Sequence, residues 1–278
     1  MTPENYKDDD SIKIDPTAML HPSVELDSGV VIGPYSIIGE KVKIGKNTRV
    51  APHVVVGRLT TIGSGCRLFQ FSSVGAEPQD LGYDGEDTEA IIGDNNIIRE
   101  FVTIHRGTAK DAGKTIVGSN NLFMNYTHVA HDCIVGDNVV MANCATLAGH
   151  VEINDHAIIG GLSAIHQFTR IGAYVIIGGG SIVTQDIIPF VMAVGNRATM
   201  RGLNLIGLRR AGFARSDISE IKKAYTLLFR SSKNLKDATE ELLKEAGESE
   251  NIKKITEFIK NSKRGVIRDK GKKGNEED

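Results

Sequence analysis

FMNYTHVAHDCIVGDNVVMANCATLAGHVEINDHAIIGGLSAIHQFTRIGAYVII, residues 123–177, carries an apolar side chain at every sixth position: Phe123, Val129, Val135, Met141, Leu147, Ile153, Ile159, Ile165, Ile171 and Ile177. A helix spaces apolar residues by three and four and a half-buried strand by two, so a step of six fits neither. It fits a chain wound into coils of about three hexads, each giving one short strand, one inward aliphatic side chain and one turn.

Upstream the same step runs from Ile14 through Leu20, Leu26, Ile32, Ile38, Ile44, Val50, Val56, Ile62 and Leu68 to Val74. It breaks across Ala76 to Ala90, resumes at Ile92, Ile98 and Ile104, breaks again across Gly107 to Lys114, and ends at Val183. The two breaks read as loops thrown out from a corner, with the hexads on either side still in phase. The fifth slot of the hexad is often small (Ser36, Thr48, Cys66, Cys133, Ala157, Ser181), as expected where a side chain enters a crowded corner. Glycine recurs in the second slot, as at Gly33, Gly63 and Gly136, which marks sites where backbones approach closely.

Composition agrees. Among 278 residues there are 30 glycines, no tryptophan and 5% aromatics, which suits a narrow aliphatic core better than a broad one. A net charge of -2 without a basic block excludes a surface that tracks nucleic-acid phosphates. The opening MTPENYKDDDSIK has neither a basic n-region nor an apolar h-region, and no later run reaches membrane-spanning length, so the expected location is the cytoplasm. Three cysteines with no CxxC pair indicate neither a disulfide framework nor a cysteine zinc site.

The period changes after Pro189. Ser216 or Asp217 is placed to cap a helix with Ile218, Ile221, Tyr225 and Leu228 on one face; Leu235, Ala238 and Leu242 give a second, and Ile252, Ile255 and Ile259 a third. The ending RDKGKKGNEED is too charged to pack and is expected to be disordered. The expected domains are an N-terminal extension (1–11), a parallel β-helix (12–190), a C-terminal helical domain (191–268) and a charged tail (269–278).

Stacking the coils puts the hexads that start at Val74, Ile104, Val129, Leu147 and Ile165 on one face, each about 4.8 Å above the last. Asp80 follows the first of these, His105 lies in the second, His131 and Asp132 in the third, Gly149 and His150 in the fourth, and His166 in the fifth. His128 stands one residue before Val129, so five of the eight histidines share one edge. A single histidine at an exposed corner is ordinarily a solvated surface residue; a column of them marks a candidate site. Cys66 and Cys133 occupy the small inward slot and read as packing.

The segments FVTIHRGT (101–108), MNYTHVAHDCIVGD (124–137), ATLAGHVEI (145–153), AIHQF (164–168) and GLNLIGLRRAGF (202–213) closely resemble the UDP-N-acetylglucosamine O-acyltransferase (LpxA) family from about Ile12 to Arg268. The resemblance implies that the β-helix is left-handed, against the usual right-handed crossover. It also implies a homotrimer with sites between adjacent subunits, and transfer of a 3-hydroxyacyl chain from acyl carrier protein to the glucosamine 3-hydroxyl, the first step of lipid A biosynthesis. Neither cofactor nor metal is implied.

On the same resemblance His131 is the general base and the Gly149 amide the oxyanion donor. Asp80 and Gln79 match sugar-contacting positions, His128, His150 and His166 line the cleft, and Asn204 and Arg210 match nucleotide-binding positions, arginine being suited to a diphosphate. Gly179 matches the acyl-chain ruler, where a missing side chain leaves room for about fourteen carbons. Relatives often carry Lys where this chain has Gly82 and Glu where it has Ile206, and some with similar changes acylate a 3-amino UDP-sugar. Arg209, Arg215, Lys222 and Lys223 are the expected dock for the acidic carrier protein, the bland alternative being a solvated helix face.

Four other readings compete. A coenzyme A-dependent sugar acetyltransferase shares the hexads. A trimeric zinc carbonic anhydrase would use histidines such as His128 and His131 as ligands, and a non-catalytic scaffold would need none of them. A sister N-acyltransferase carries a uridine-binding domain ahead of its hexads, whereas here the hexads start almost at once.

Overall fold

A computed structural model describes residues 10–245 and 249–269. Two-residue strands, each with one inward and one outward side chain, stack in register into three parallel sheets, and the chain is a left-handed parallel β-helix followed by helices. The first face runs from Lys13–Ile14 to Ile176–Ile177 and is extended by Val191–Val194 and an antiparallel Thr199–Leu203. The second runs from Met19–Leu20 to Ile182–Val183 and the third from Glu25–Leu26 to Arg170–Ile171. Val74 lies over Ile104, then Val129, Leu147 and Ile165, the column expected from the hexads, and the register shifts only past Val74, where Ala76 pairs with His105 at the entrance to the first loop.

The inward aliphatics are buried from Ile32 upward, and so are the small fifth-slot residues Ser36, Thr48, Cys66, Cys133, Ala157 and Ser181. At Gly33 an added Cβ would lie 2.8 Å from Pro52 N and 2.9 Å from Ala51 C, both backbone atoms of the next coil. From Gly29 onward the regular corners turn through a fourth-slot residue in the left-handed region, Tyr35, Lys41 and Asn47 being successive examples at φ 57, 55 and 60°. The hexad step does not reveal that feature, because side chains other than glycine occupy the slot at most corners.

Both breaks are extruded loops, 77–88 and 106–113, entered and left by strands of the stacked sheets. Arg106, only 2% exposed, fastens them: it donates to Gly75 O at 3.1 Å, to the Tyr83 hydroxyl at 2.8 Å and to Glu77 Oε1 at 3.4 Å. His105 was expected in the surface column but is 6% exposed. Burial first, and then His128, His131 and Arg106 nearby, push its imidazole down to about 4.

The C-terminal part holds four helices among the described residues: α1 (Leu205–Arg210), α2 (Arg215–Arg230), α3 (Leu235–Glu245) and α4 (Glu250–Lys260). α2 buries Ile221, Tyr225 and Leu228 as the apolar spacing predicts. Its N-cap is Ala214 rather than Ser216 or Asp217, because the Asp217 carboxylate reaches back to accept the Ala214 N–H at 3.3 Å. The sequence pattern missed α1, whose only buried residue is Leu208, too little for a periodic signal. Of the expected disordered ending, Arg268 and Asp269 are placed: Arg268 O accepts the Met200 N–H and Asp269 pairs with Arg230 at 3.1 Å. The tail beyond Asp269 and the extension before Asp10 lie outside the described residues. No helix among them is long and apolar enough to cross a membrane.

Two outcomes follow from this packing. Gly33→Ala forces a methyl into the next coil's backbone and lowers stability by about 1–3 kcal/mol, read as a drop in thermal midpoint. Between the ordinary imidazole value of roughly 6.5 and about 4, the unfolded chain takes up a proton at His105 that the native chain refuses, so acidification through that window removes stability. The midpoint should fall with pH there, and fall less in His105→Leu.

Candidate active site

The corner between the second and third faces holds His131 and Asp132, directly after the strand His128–Val129. Asp132 takes the left-handed slot at φ 58°, which turns its carboxylate back toward the extruded loop. Its side chain is 2% exposed and saturated: Oδ1 accepts Thr108 N at 2.9 Å, and Oδ2 accepts Thr108 Oγ1 at 2.7 Å and His131 Nδ1 at 2.8 Å. An ionised carboxylate only accepts, so Nδ1 carries the proton and Nε2 is left with its lone pair. Neither Asp132 nor Thr108 was singled out from the sequence as a site residue; the signal available was an acidic side chain adjacent to the candidate base.

One coil on, Gly149 lies under the imidazole. A Cβ there would be 2.6 Å from His131 Cε1 and 2.8 Å from Nε2, so only glycine brings the backbone this close. Its N–H makes no hydrogen bond to the described residues. His150 stands edge-on to His131 with centroids 5.2 Å apart, stacks on Phe168, and has Nδ1 3.1 Å from Asp111 Oδ2. His166 is exposed one coil further, its Nδ1 donating to Gln167 O at 3.1 Å. His128 points out of the second face with Nδ1 2.7 Å from Thr103 Oγ1, and burial together with His131 holds its imidazole below the usual range.

The first extruded loop brings Asp80 to the same corner. Its carboxylate meets Lys110 Nζ at 2.8 and 2.7 Å and accepts the Gly82 N–H at 2.7 Å; these contacts, Lys110 foremost, lower it below the usual carboxylate range. Gln79 beside it is exposed. At Gly82 a Cβ would meet the Lys110 ammonium, so the second loop brings a cation against this position.

Asn204 and Arg210 are elsewhere. Asn204 caps α1, accepting Gly207 N at 3.0 Å and donating to Tyr174 O at 2.9 Å. Arg210, from the last turn of α1, lines a groove of about 770 Å³ with Val140, Ile158 and Ile176 of the first face and with Ile206. In a three-sided prism the first face lies opposite the corner that carries His131, so the body of the chain stands between the two groups. Gly179 sits at the corner joining the first and second faces, where a Cβ would meet only Gly161, at 3.2 Å from its carbonyl oxygen.

His131, Asp132 and His150 also form a trio with donor atoms within 4.8 Å of one another, so a transition metal is chemically compatible with them. His128 is not in that trio. Cys133 is fully buried and its thiol is pushed up to about 12 by desolvation, which leaves it a packing group.

Known proteins resemble this chain over most of its length. Residues 186–267 match the family model described as Udp N-acetylglucosamine O-acyltransferase, Domain 2, and residues 35–70 and 114–149 match bacterial transferase hexapeptide repeats. A curated acyl-[acyl-carrier-protein]--UDP-N-acetylglucosamine O-acyltransferase of Aquifex aeolicus is 61% identical over 201 residues, 72% of this chain and 77% of its own length. The Myxococcus xanthus protein of the same name is 51% identical over 203 residues, 73% and 78% of the two chains. The solved UDP-N-acetylglucosamine acyltransferase of Francisella novicida superposes with a TM-score of 0.91 at 39% identity, covering 93% of this chain and 95% of its own. For LpxA from Acinetobacter baumannii the values are 0.89 and 45%, covering 92% and 99%. With relatives this similar over more than two thirds of its length, and with the hexads and the second-domain match in the same order, the chain belongs to the UDP-N-acetylglucosamine O-acyltransferase family of hexapeptide-repeat acyltransferases.

Proposed function

We propose that the protein transfers a 3-hydroxyacyl chain from acyl carrier protein to the 3-hydroxyl of UDP-N-acetylglucosamine in the cytoplasm, the opening step of lipid A biosynthesis. The observation that carries this is the Thr108–Asp132–His131 relay, which leaves His131 Nε2 as a base beside the unpaired Gly149 N–H. His131 Nε2 takes the proton from the sugar hydroxyl as the oxygen attacks the thioester carbon. Asp132 stabilises the imidazolium that results, and the Gly149 N–H stabilises the tetrahedral oxyanion. Collapse breaks the carbon–sulfur bond, and the imidazolium returns its proton to the departing thiolate of the carrier. No enzyme-bound acyl intermediate is required.

The separation of the two half-sites supports a homotrimer in which the Asn204 and Arg210 groove of one copy faces the His131 corner of the next. Asp80 and Gln79 then hold the sugar, His128, His150 and His166 line the cleft, and Gly179 leaves the end of the acyl channel open. Arg209, Arg215, Lys222 and Lys223 are exposed and carry no ion pair to a described residue, which suits an acidic carrier protein.

Gly82 and Ile206 favour a second acceptor, a UDP-sugar with an amine at the 3-position. Ile206 is 64% exposed on the groove and presents no charge to the nucleotide. The amine loses a proton to the same His131, so only the acceptor atom differs.

The test gives purified protein 3-hydroxymyristoyl acyl carrier protein with UDP-N-acetylglucosamine or its 3-amino analogue in parallel. Product from the hydroxyl sugar, reduced roughly 10²–10⁴-fold in His131→Ala, is the expected outcome; preference for the amine moves the acceptor, and transfer to neither sugar ends this reading. Gly179→Met should shorten the preferred acyl chain, seen as a higher rate with a ten-carbon than with a fourteen-carbon donor.

A further inference from the structure

The first extruded loop is acidic throughout. Segment 77–88 holds Glu77, Asp80, Asp84, Glu86 and Asp87 and neither lysine nor arginine, so any cation that meets it comes from another part of the chain. Three do. Arg58 takes the far end, with Nη2 donating to Gly85 O at 3.1 Å and to Asp87 Oδ1 at 2.6 Å. The buried Arg106 takes the base through Glu77 and the Tyr83 hydroxyl, and that hydroxyl in turn donates to Glu86 O at 2.8 Å. Lys110 takes Asp80.

The three contacts differ in kind. Arg58 and Arg106 bond backbone carbonyls and a hydroxyl, which fixes the path of the loop. The Lys110 ammonium does neither: its hydrogen bonds to described residues both end on the Asp80 carboxylate, at 2.8 and 2.7 Å. Its side chain is 58% exposed, that of Asp80 19%. An exposed ion pair contributes little to folding, so the loop keeps its shape without Lys110. What Lys110 does alter is the charge that Asp80 presents at the corner of His131. His131 is among the groups that lower the Asp80 carboxyl, after Lys110 and the Gly82 N–H, so carboxylate, ammonium and base stand within one field.

Gly82 makes the contact possible. Its N–H donates to Asp80 Oδ1 at 2.7 Å, and an added Cβ would collide with the Lys110 ammonium while standing 3.3 Å from that same oxygen. The ammonium therefore lies over bare backbone, in the volume a side chain at 82 would claim. Because the collision is with the far end of a flexible chain, a methyl there evicts the ammonium and leaves the loop in place. Gly82 is itself uncharged, yet the space it leaves is filled by a cation.

We infer that Lys110 sets acceptor specificity: seated over Gly82, its ammonium balances Asp80 and favours a UDP-sugar that is uncharged at the 3-position. The inference rests on the acyl-transfer reading under Proposed function, in which Asp80 holds the sugar. With Lys110 in place, an acceptor carrying a 3-ammonium meets a neutralised carboxylate beside a like charge. Without it, the unbalanced carboxylate attracts that ammonium, whereas a hydroxyl donates a hydrogen bond to Asp80 in either case. The first loop thus brings the carboxylate, and the second brings the charge that decides what the carboxylate accepts.

The test measures KM for UDP-N-acetylglucosamine and for its 3-amino analogue, or the inhibition constant of a sugar that is not turned over, at neutral pH with 3-hydroxymyristoyl acyl carrier protein as donor. Wild type, Lys110→Met, Gly82→Ala and the double variant are compared, with circular dichroism to confirm folding. Lys110→Met should lower the constant for the amine relative to the hydroxyl sugar about fivefold, the scale of one exposed ion pair, and the change should shrink as salt is raised. Gly82→Ala should act in the same direction with lysine still in the chain. The double variant should match Lys110→Met, because both substitutions remove one contact. A purely structural role for Lys110 would raise the constants for both sugars alike. An unchanged ratio in Lys110→Met, or effects of the two substitutions that simply add, overturns the inference. A wild type that transfers to neither sugar instead ends the acyl-transfer reading, and this inference with it.

Discussion

Everything in this molecule depends on the register between coils. Backbone N–H groups of one strand bond to carbonyls a full coil later, as in Lys13 to Val30 and Met19 to Ser36, and the inward aliphatics lie over one another along the axis. Two-residue strands have almost no stability alone. They hold because every inner coil has two neighbours, so burial and hydrogen bonding accumulate along the stack as in other repeat proteins. A column of side chains is therefore as well defined as a helix face, although its members are far apart in the chain.

The candidate chemistry uses that property. Gly149 approaches the His131 ring because coils repeat at a fixed rise, and the Asp132 carboxylate reaches its partners because its slot lies in the left-handed region. Thr108 arrives from an extruded loop that the stack expels without losing phase, and Arg106 fixes that loop from beneath. Regular coils thus set distances along the axis, while the two irregular segments furnish chemistry the repeat lacks. Asp80 and Lys110 illustrate the division, each coming from a different loop and meeting above the same corner.

Much of this was legible in the residues. The step of six gave the coils, the small fifth slot gave the inward corners, and the breaks near Ala76 and Gly107 marked both loops. Stacking alone put His131 and Gly149 in neighbouring coils. Other parts were not legible because they depend on direction rather than spacing. His105 shares the edge of the histidine column but is buried edge-on to His128, and Asp132 looked like one more corner polar residue until its three acceptor contacts were visible. α1 has one buried residue and Asp269 lies in a charged run, so neither carried a pattern. The groove with Asn204 and Arg210 is assembled by α1 against the first face, a tertiary event that no local period records.

The extruded loops also show how such a gene tolerates change in length. Paired residues are 18 apart in an uninterrupted coil, as Ser36 and Val54 are. Duplicating one whole coil would add a storey and leave each column on its own edge. Inserting a single hexad between His131 and His166 would instead rotate all later strands by one face and carry His166 away from the edge it shares with His131. Loops grown at a corner escape this arithmetic, since the chain returns to the slot it left whatever their length. Insertions and deletions in descendants of this sequence should thus fall at corners or come as complete turns of the helix.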